Sequence, residues 1–461
     1  MDLISTRGAA PTLDFRGATL AGLASDGGLY VPAHWPGLTA ADLAGLRTSS
    51  YRDTAIRVLT PFVEGSLDTA ALARLIDEAY GDFGHAAVTP LKQLDERHWL
   101  LELFHGPTLA FKDVALRLLG GLFGEFLGEG ASLTIIGATS GDTGSAAIHA
   151  VAGRPGISIV MLHPEGRVSE VQRRQMTTVT APNVLNVAVA GSFDDCQRIV
   201  KRLLNDPALR ERRTLSAVNS INWARLAAQI VYYIYAAVRL GAPERPVSFA
   251  VPTGNFGDVF AGYVAARMGL PVGRLLVATN VNDILARALN AGDYSVGSVA
   301  PTATPSMDIQ VSSNFERLLF DLSGRDGAAV AAMMQGFEAS GRLDLSPAMR
   351  AEASRWFIAQ RVDETAMQGA LSWAWRTCGE LIDPHTAVGL AAARANAARL
   401  DGPIVTLATA HPAKFPEAVE RATGIRPTLP PAQRHLFDRA ERYDRLPADL
   451  DTIRAYVEAR A

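Results

Sequence analysis

"VSFAVPTGNFGDVFAGYVAARMGLPVGRLLVATN" (residues 247–280) decides the fold. Its first six residues, "VSFAVP", form a mostly apolar run of the kind buried inside a parallel sheet. "TGNFGD" (253–258) interrupts it with two glycines flanking Asn-Phe. "VFAGYVAARMG" then reads as a helix and "LLVATN" (275–280) as the next strand. Strand, glycine turn, helix, strand is a βαβ unit.

The same texture recurs along the chain. "SLTIIGA" (132–138) runs through "TSGDTG" (139–144) into a helical "SAAIHAVAG". "NVLNVAVAGSFDDCQRIVKRLL" (183–204) is another strand-to-helix unit, and "DPHTAVGLAAARANAARL" (383–400) is a helix leading to a strand at "GPIVTLATA" (402–410). An α/β fold follows, with parallel-type sheets flanked by helices. Residues 1–90 mix short turns with helical patterns such as "DTAALARLIDEAYG" (68–81) and read as an α-rich N-terminal domain. Residues 426–461 read as a C-terminal tail ending in an amphipathic helix, "ADLDTIRAYVEARA".

Composition narrows the function classes. The net charge of −3 over 461 residues offers no surface for nucleic acid. The most apolar segment, "QIVYYIYAAV" (229–238), is half the roughly 20 residues a spanning helix needs, so it reads as buried helix and no membrane is expected. The two cysteines, Cys196 and Cys378, form no disulfide framework, and the nine histidines show no metal-ligand spacing. "MDLISTRGAAPTLDF" has no apolar leader, and a cytoplasmic location is expected.

Only four of the 44 basic residues are lysines. Lys92 and Lys201 sit in polar, surface-type stretches, and Lys414 lies between prolines in "AHPAKFPE". Lys112, in "FHGPTLAFKD" (104–113), has an apolar approach and no neighbouring cation. Such surroundings lower a lysine's pKa and give the free amine a Schiff base needs. A buried stem with a solvent-seeking tip is the alternative. The two glycine loops sit where a parallel sheet presents helix N-termini, whose N–H groups and dipole favour an anion. "TGNFGD" matches neither the P-loop nor the dinucleotide fingerprint. A phosphate anchor plus a reactive amine predicts a phosphorylated carbonyl cofactor, which pyridoxal 5′-phosphate fits. Thr409, ending a strand, offers a neutral hydroxyl to a pyridine nitrogen.

Eight blocks in order carry a family resemblance: "STRG" (5–8), "DGGLYVP" (26–32), "LFHGPTLAFKD" (103–113), "GATSGDTG" (137–144), "VNSINWAR" (218–225), "VPTGNFGD" (251–258), "DPHTAVG" (383–389) and "ATAHPAKF" (408–415). Over nearly its whole length the chain resembles the threonine synthases, fold-type-II pyridoxal-phosphate enzymes, in their longer bacterial and fungal branch. The resemblance implies that 91–425 is a two-lobed catalytic region, with the smaller lobe at about 128–240, and that Lys112 carries the cofactor as a Schiff base and acts as general base. It implies that Gly254, Asn255, Phe256, Gly257 and Asp258 hold the cofactor phosphate, and that Thr409 faces its ring nitrogen. Thr139, Ser140, Asp142 and Thr143 would hold the substrate α-carboxylate. Ser220, Asn222, Arg225 and Lys414 are candidates for the substrate phosphate. Asp142 departs from related enzymes, where an asparagine often sits near the cofactor's 3′-oxygen. His385 and His411 read as helix-entry and loop histidines, and His105 and Asp113 as residues that orient the lysine loop.

The implied reaction converts O-phospho-L-homoserine and water to L-threonine and phosphate. The protein is expected to work as a monomer or homodimer, with the smaller lobe closing on the larger. A threonine deaminase or O-acetylserine sulfhydrylase of the same fold, a binding protein without turnover, and a phosphosugar-binding α/β protein are the alternatives.

Overall fold

The βαβ units assemble into two separate sheets. The computed structural model describes residues 1–128, 130–217 and 220–461. Among these, the larger sheet has six strands in the order Phe357–Arg361, Val272–Thr279, Val247–Pro252, Ile404–Ala408, His98–Glu102 and Leu91–Gln93. Neighbours are parallel except for the outermost Leu91–Gln93, which is antiparallel to His98–Glu102. The second sheet is parallel throughout: Asp444–Pro447, Val184–Ala190, Ile157–Pro164, Leu133–Ala138 and Thr214–Ser216.

The opening stretch lies at the heart of the larger sheet. Val247–Pro252 is buried along its whole length, with helices on both faces, which is why it lacks polar alternation. "QIVYYIYAAV" lies inside the helix Trp223–Arg239, which is buried almost all round. That helix packs against Tyr51–Val63, Lys112–Phe126 and Gly257–Arg267, which leaves almost none of it facing solvent.

The N-terminal helices Tyr51–Val63 and Thr69–Tyr80 are started by Ser50 and Asp68, whose side chains accept from Asp53 N and Ala71 N. Their apolar faces, including Val58, Phe62 and Ile76, share one continuous core with the larger lobe. The C-terminal segment crosses over. After the helix Pro416–Thr423 the chain reaches the smaller lobe and adds Asp444–Pro447 as its edge strand. The last helix, Leu450–Arg460, sinks Ile453 and Val457 into a core with Val187, Cys196 and Leu203.

Candidate active site

The chemistry-bearing loops lie at the carboxyl ends of the parallel strands, where such folds bind ligands. Lys112 opens the helix Lys112–Phe126. Its loop is held from both sides. Phe111 N donates to Thr409 O at 2.8 Å, and His411 N donates to Leu109 O at 3.0 Å. Asp113 accepts from Thr108 N at 2.8 Å and Thr108 Oγ1 at 2.7 Å. Gly106 lies so close that a Cβ there would come 2.4 Å from Asp113 Cβ. Asp113, buried and pushed up to about 6 by desolvation, therefore shapes the loop.

Lys112 is buried, and desolvation is the main cause of its lowered pKa. Asp142 opposes that shift, while the charges of Arg225 and Lys414 add to it. The ion pair to Asp142 Oδ2 is long, at 3.4 Å. Asp142 is engaged elsewhere: its Oδ1 lies 2.9 Å from Lys414 Nζ and accepts from Gln172 Nε2 at 2.8 Å. Burial works against the Asp142 charge, but the two lysines and the amide outweigh it and hold the carboxyl far below its ordinary range. An amine with one distant counter-ion and two cations nearby is disposed to lose its proton.

The glycine loop follows Val247–Pro252. Phe256 is left-handed, with φ +63°, and the helix Gly257–Arg267 starts behind it. The loop carbonyls are tied back: Ser312 Oγ donates to Gly254 O at 2.8 Å, and Asn314 N and Nδ2 each donate to Asn255 O at 3.0 Å. The N–H groups of Gly254, Asn255, Phe256 and Gly257 have no protein acceptor among the described residues. A Cβ on Gly254 would lie 2.7 Å from Ser306 O. Four unpaired donors at the start of an eleven-residue helix make an anion cradle.

Thr409 N donates to Thr386 Oγ1 at 3.2 Å, and Thr386 in turn donates to Asp383. The Thr409 hydroxyl has no partner among the described residues. At the second loop, Thr139 Oγ1 accepts from Gly141 N and Gly144 N, each at 2.9 Å. Ser140 is exposed and Thr143 half-buried beside it. Arg225 is buried with its Nη1 unpartnered among the described residues, and burial lowers it to about 10. Its charge acts on both Lys112 and Asp258.

Two substrate-phosphate candidates are placed differently from expectation. Asn222 caps the helix Trp223–Arg239: its Oδ1 accepts from Ala224 N at 3.0 Å and its Nδ2 donates to Thr19 O at 2.9 Å, so the amide is satisfied internally. Lys414 is fully buried, and its ammonium meets Thr108 O at 2.6 Å, Gln175 Oε1 at 3.0 Å and Asp142. Three acceptors saturate its three protons, which makes it the anchor of Asp142. Ser220 pairs with Ser313 at 3.1 Å. Val218 and Asn219, which begin the "VNSINWAR" block, lie outside the described residues.

Ser312, Asn314, Gln172 and Gln175 escaped the sequence reading. They are neutral polar residues in unpatterned loops or on a polar helix, and only the tertiary contacts give them a task.

The residues fit pyridoxal phosphate. An aldehyde would find the desolvated Lys112 amine, and a phosphate ester the unpaired N–H groups of 254–257.

Known proteins match nearly the whole length of the chain. Family models match residues 2–80 as the threonine synthase N terminus, 83–346 as a pyridoxal-phosphate-dependent enzyme and 386–457 as the threonine synthase C-terminal part. Threonine synthase of Pseudomonas aeruginosa is 52% identical over 459 residues, covering 99% of this chain and 98% of its own. That of Saccharomyces cerevisiae is 41% identical over 453 residues, covering 91% and 88%. Among solved structures, the PLP-bound threonine synthase from Brucella melitensis superposes with a TM-score of 0.98 at 50% identity, covering 100% of this chain and 99% of that one. The Escherichia coli threonine synthase gives 0.84 at 30% identity, covering 100% of both chains. The chain belongs to the threonine synthase family of pyridoxal-phosphate-dependent enzymes.

Proposed function

We propose that the protein converts O-phospho-L-homoserine and water to L-threonine and phosphate with pyridoxal 5′-phosphate as cofactor. One observation carries this reading: a buried amine with a depressed pKa and a row of backbone N–H groups unpaired among the described residues both follow strands of the same six-stranded sheet. Gly254, Asn255, Phe256 and Gly257 would hold the cofactor phosphate, Lys112 its carbonyl carbon, and the Thr409 hydroxyl its ring nitrogen. When bound, the cofactor supplies an electron sink for elimination at Cγ and hydration at Cβ.

The chain's own residues do the rest. Lys112 Nζ takes the proton at Cα and later moves the proton at Cβ, a role that its lowered pKa favours. Asp142 stays ionised and steers the ammonium form of Lys112 without holding it tightly. The start of the helix Asp142–Val151, with Thr139, Ser140 and Thr143, receives the substrate carboxylate on backbone N–H groups and hydroxyls. Arg225, buried and with its Nη1 unpartnered among the described residues, would receive the substrate phosphate. Lys414 and Gln175 keep the lysine pair in register.

The function is tested by phosphate release from O-phospho-L-homoserine. Equimolar threonine and phosphate are expected, together with a cofactor absorbance band that Lys112→Ala abolishes. Release of 2-oxobutanoate and ammonia in place of threonine would assign a deaminase. No helix among the described residues is long and apolar enough to cross a membrane. A cytoplasmic enzyme acting as a monomer or homodimer completes the reading, and sedimentation of the holoenzyme distinguishes the two assemblies.

A further inference from the structure

A buried carboxyl lies directly behind the anion cradle. Asp258 is the second residue of the helix Gly257–Arg267. Tyr232 and Tyr233 both donate to its Oδ1, the latter at 2.9 Å, and Tyr233 also donates to Asp258 O at 3.0 Å. Its Oδ2 is enclosed and has no partner among the described residues. Arg225 acts on it from the start of the tyrosines' helix but forms no ion pair with it among the described residues. Helix Phe315–Leu322 also packs on Gly257–Arg267, but its charges are engaged elsewhere. Glu316 pairs with Arg7, Asp321 with Arg267 and Arg325, and Arg317 donates to Tyr30 O.

A charged carboxylate in the first turn already occupies the positive end of the helix. A phosphate on the same N–H groups then meets a fixed negative charge in a low-dielectric setting. Neutralising the carboxyl removes that conflict. We propose that binding of a phosphate ester to residues 254–257 is coupled to uptake of one proton by Asp258. The proposal rests on the reading of that loop as the cofactor phosphate site.

The resting environment is poised for this exchange. Desolvation pushes Asp258 up to about 6, with the two tyrosines and Arg225 resisting. A neighbouring phosphate raises it further, because like charges disfavour each other's ionised forms. By linkage, phosphate affinity is greatest where Asp258 is protonated and falls as pH rises through its titration.

The test measures dissociation constants of pyridoxal phosphate and of pyridoxal, which lacks the phosphate, for the full chain stripped of cofactor between pH 5 and 8.5. Their ratio isolates the phosphate's contribution and cancels the titration of Lys112. Asp258→Asn serves as the permanently neutral reference, and it retains the ligand's own phosphate ionisation near 6. The wild-type ratio is expected to fall relative to the Asp258→Asn ratio by up to about tenfold per pH unit above the Asp258 titration. Tyr232→Phe, which removes a donor to the carboxylate, should move this break to higher pH and covers the case in which Asp258→Asn folds poorly. Parallel wild-type and Asp258→Asn profiles, or an unmoved break in Tyr232→Phe, would overturn the proposal. If pyridoxal phosphate binds the wild-type chain no better than pyridoxal at any pH, the cofactor-site reading falls, and the proposal with it.

Discussion

Lys112 and Lys414 are both buried, and their surroundings give them opposite tasks. Lys414 has three acceptors within 3.0 Å and is a fixed cation. Among the described residues Lys112 Nζ has one hydrogen-bond acceptor, at 3.4 Å, and its pKa is lowered. The positive charge of Lys414 helps lower the Lys112 pKa, so Lys414→Met should raise it twice over. It removes a repelling cation and frees Asp142 to pair with Lys112. The pH profile for the rate of pyridoxal phosphate capture should therefore shift to higher pH, as followed by absorbance after mixing. The variant should also lose roughly 3–5 kcal/mol of stability, because it breaks a buried ion pair and takes the donor from Thr108 O and Gln175 Oε1. An unshifted capture profile would show that Lys414 has no electrostatic hold on the amine.

At the scale of elements, the cradle depends on a tied-back loop as much as on its glycines. The segment 312–314 draws the carbonyls of Gly254 and Asn255 away from the ligand side, which leaves their amides unpaired. Gly254→Ala would place a Cβ 2.7 Å from Ser306 O and push the loop off this support. Overpacking of this kind costs about 1–3 kcal/mol. The larger effect should be on cofactor affinity, at least tenfold weaker by equilibrium dialysis. Asn314→Ala should weaken binding by the same route with no change to the loop's own sequence. The sequence marked the loop through its glycines. Asn314 was not legible, because a neutral amide in an unpatterned loop carries no periodic or compositional signal.

Across the whole molecule, the C-terminal segment is part of the smaller lobe. Its strand Asp444–Pro447 covers the edge of Val184–Ala190, and Ile453 and Val457 complete the core beneath. Ile453→Ala should destabilise that lobe by about 2–5 kcal/mol. Hydrogen exchange should then quicken across Val184–Ala190 while Val247–Pro252, in the other sheet, keeps its protection. Uniform loosening of both sheets would mean that the lobes unfold as one unit. The chain also runs between the lobes at Gln433, which donates to Pro107 O at 2.6 Å and accepts from Gln175 at 3.2 Å. The C-terminal segment thus touches the loop that precedes Lys112.

By itself the sequence determined the βαβ texture, the two glycine loops, the lone apolar-flanked lysine and the ordered blocks of the family. These are local features: apolar runs, φ-permissive turns and residue types fixed by chemistry. The tertiary structure alone decided which polar residues meet. It gave Asn222 to a helix cap, saturated Lys414 with acceptors from three separate parts of the chain, and set Asp258 between two tyrosines. The reason is physical. A buried polar side chain takes its role from the donors, acceptors and dielectric that enclose it, and residues far apart in the chain supply those.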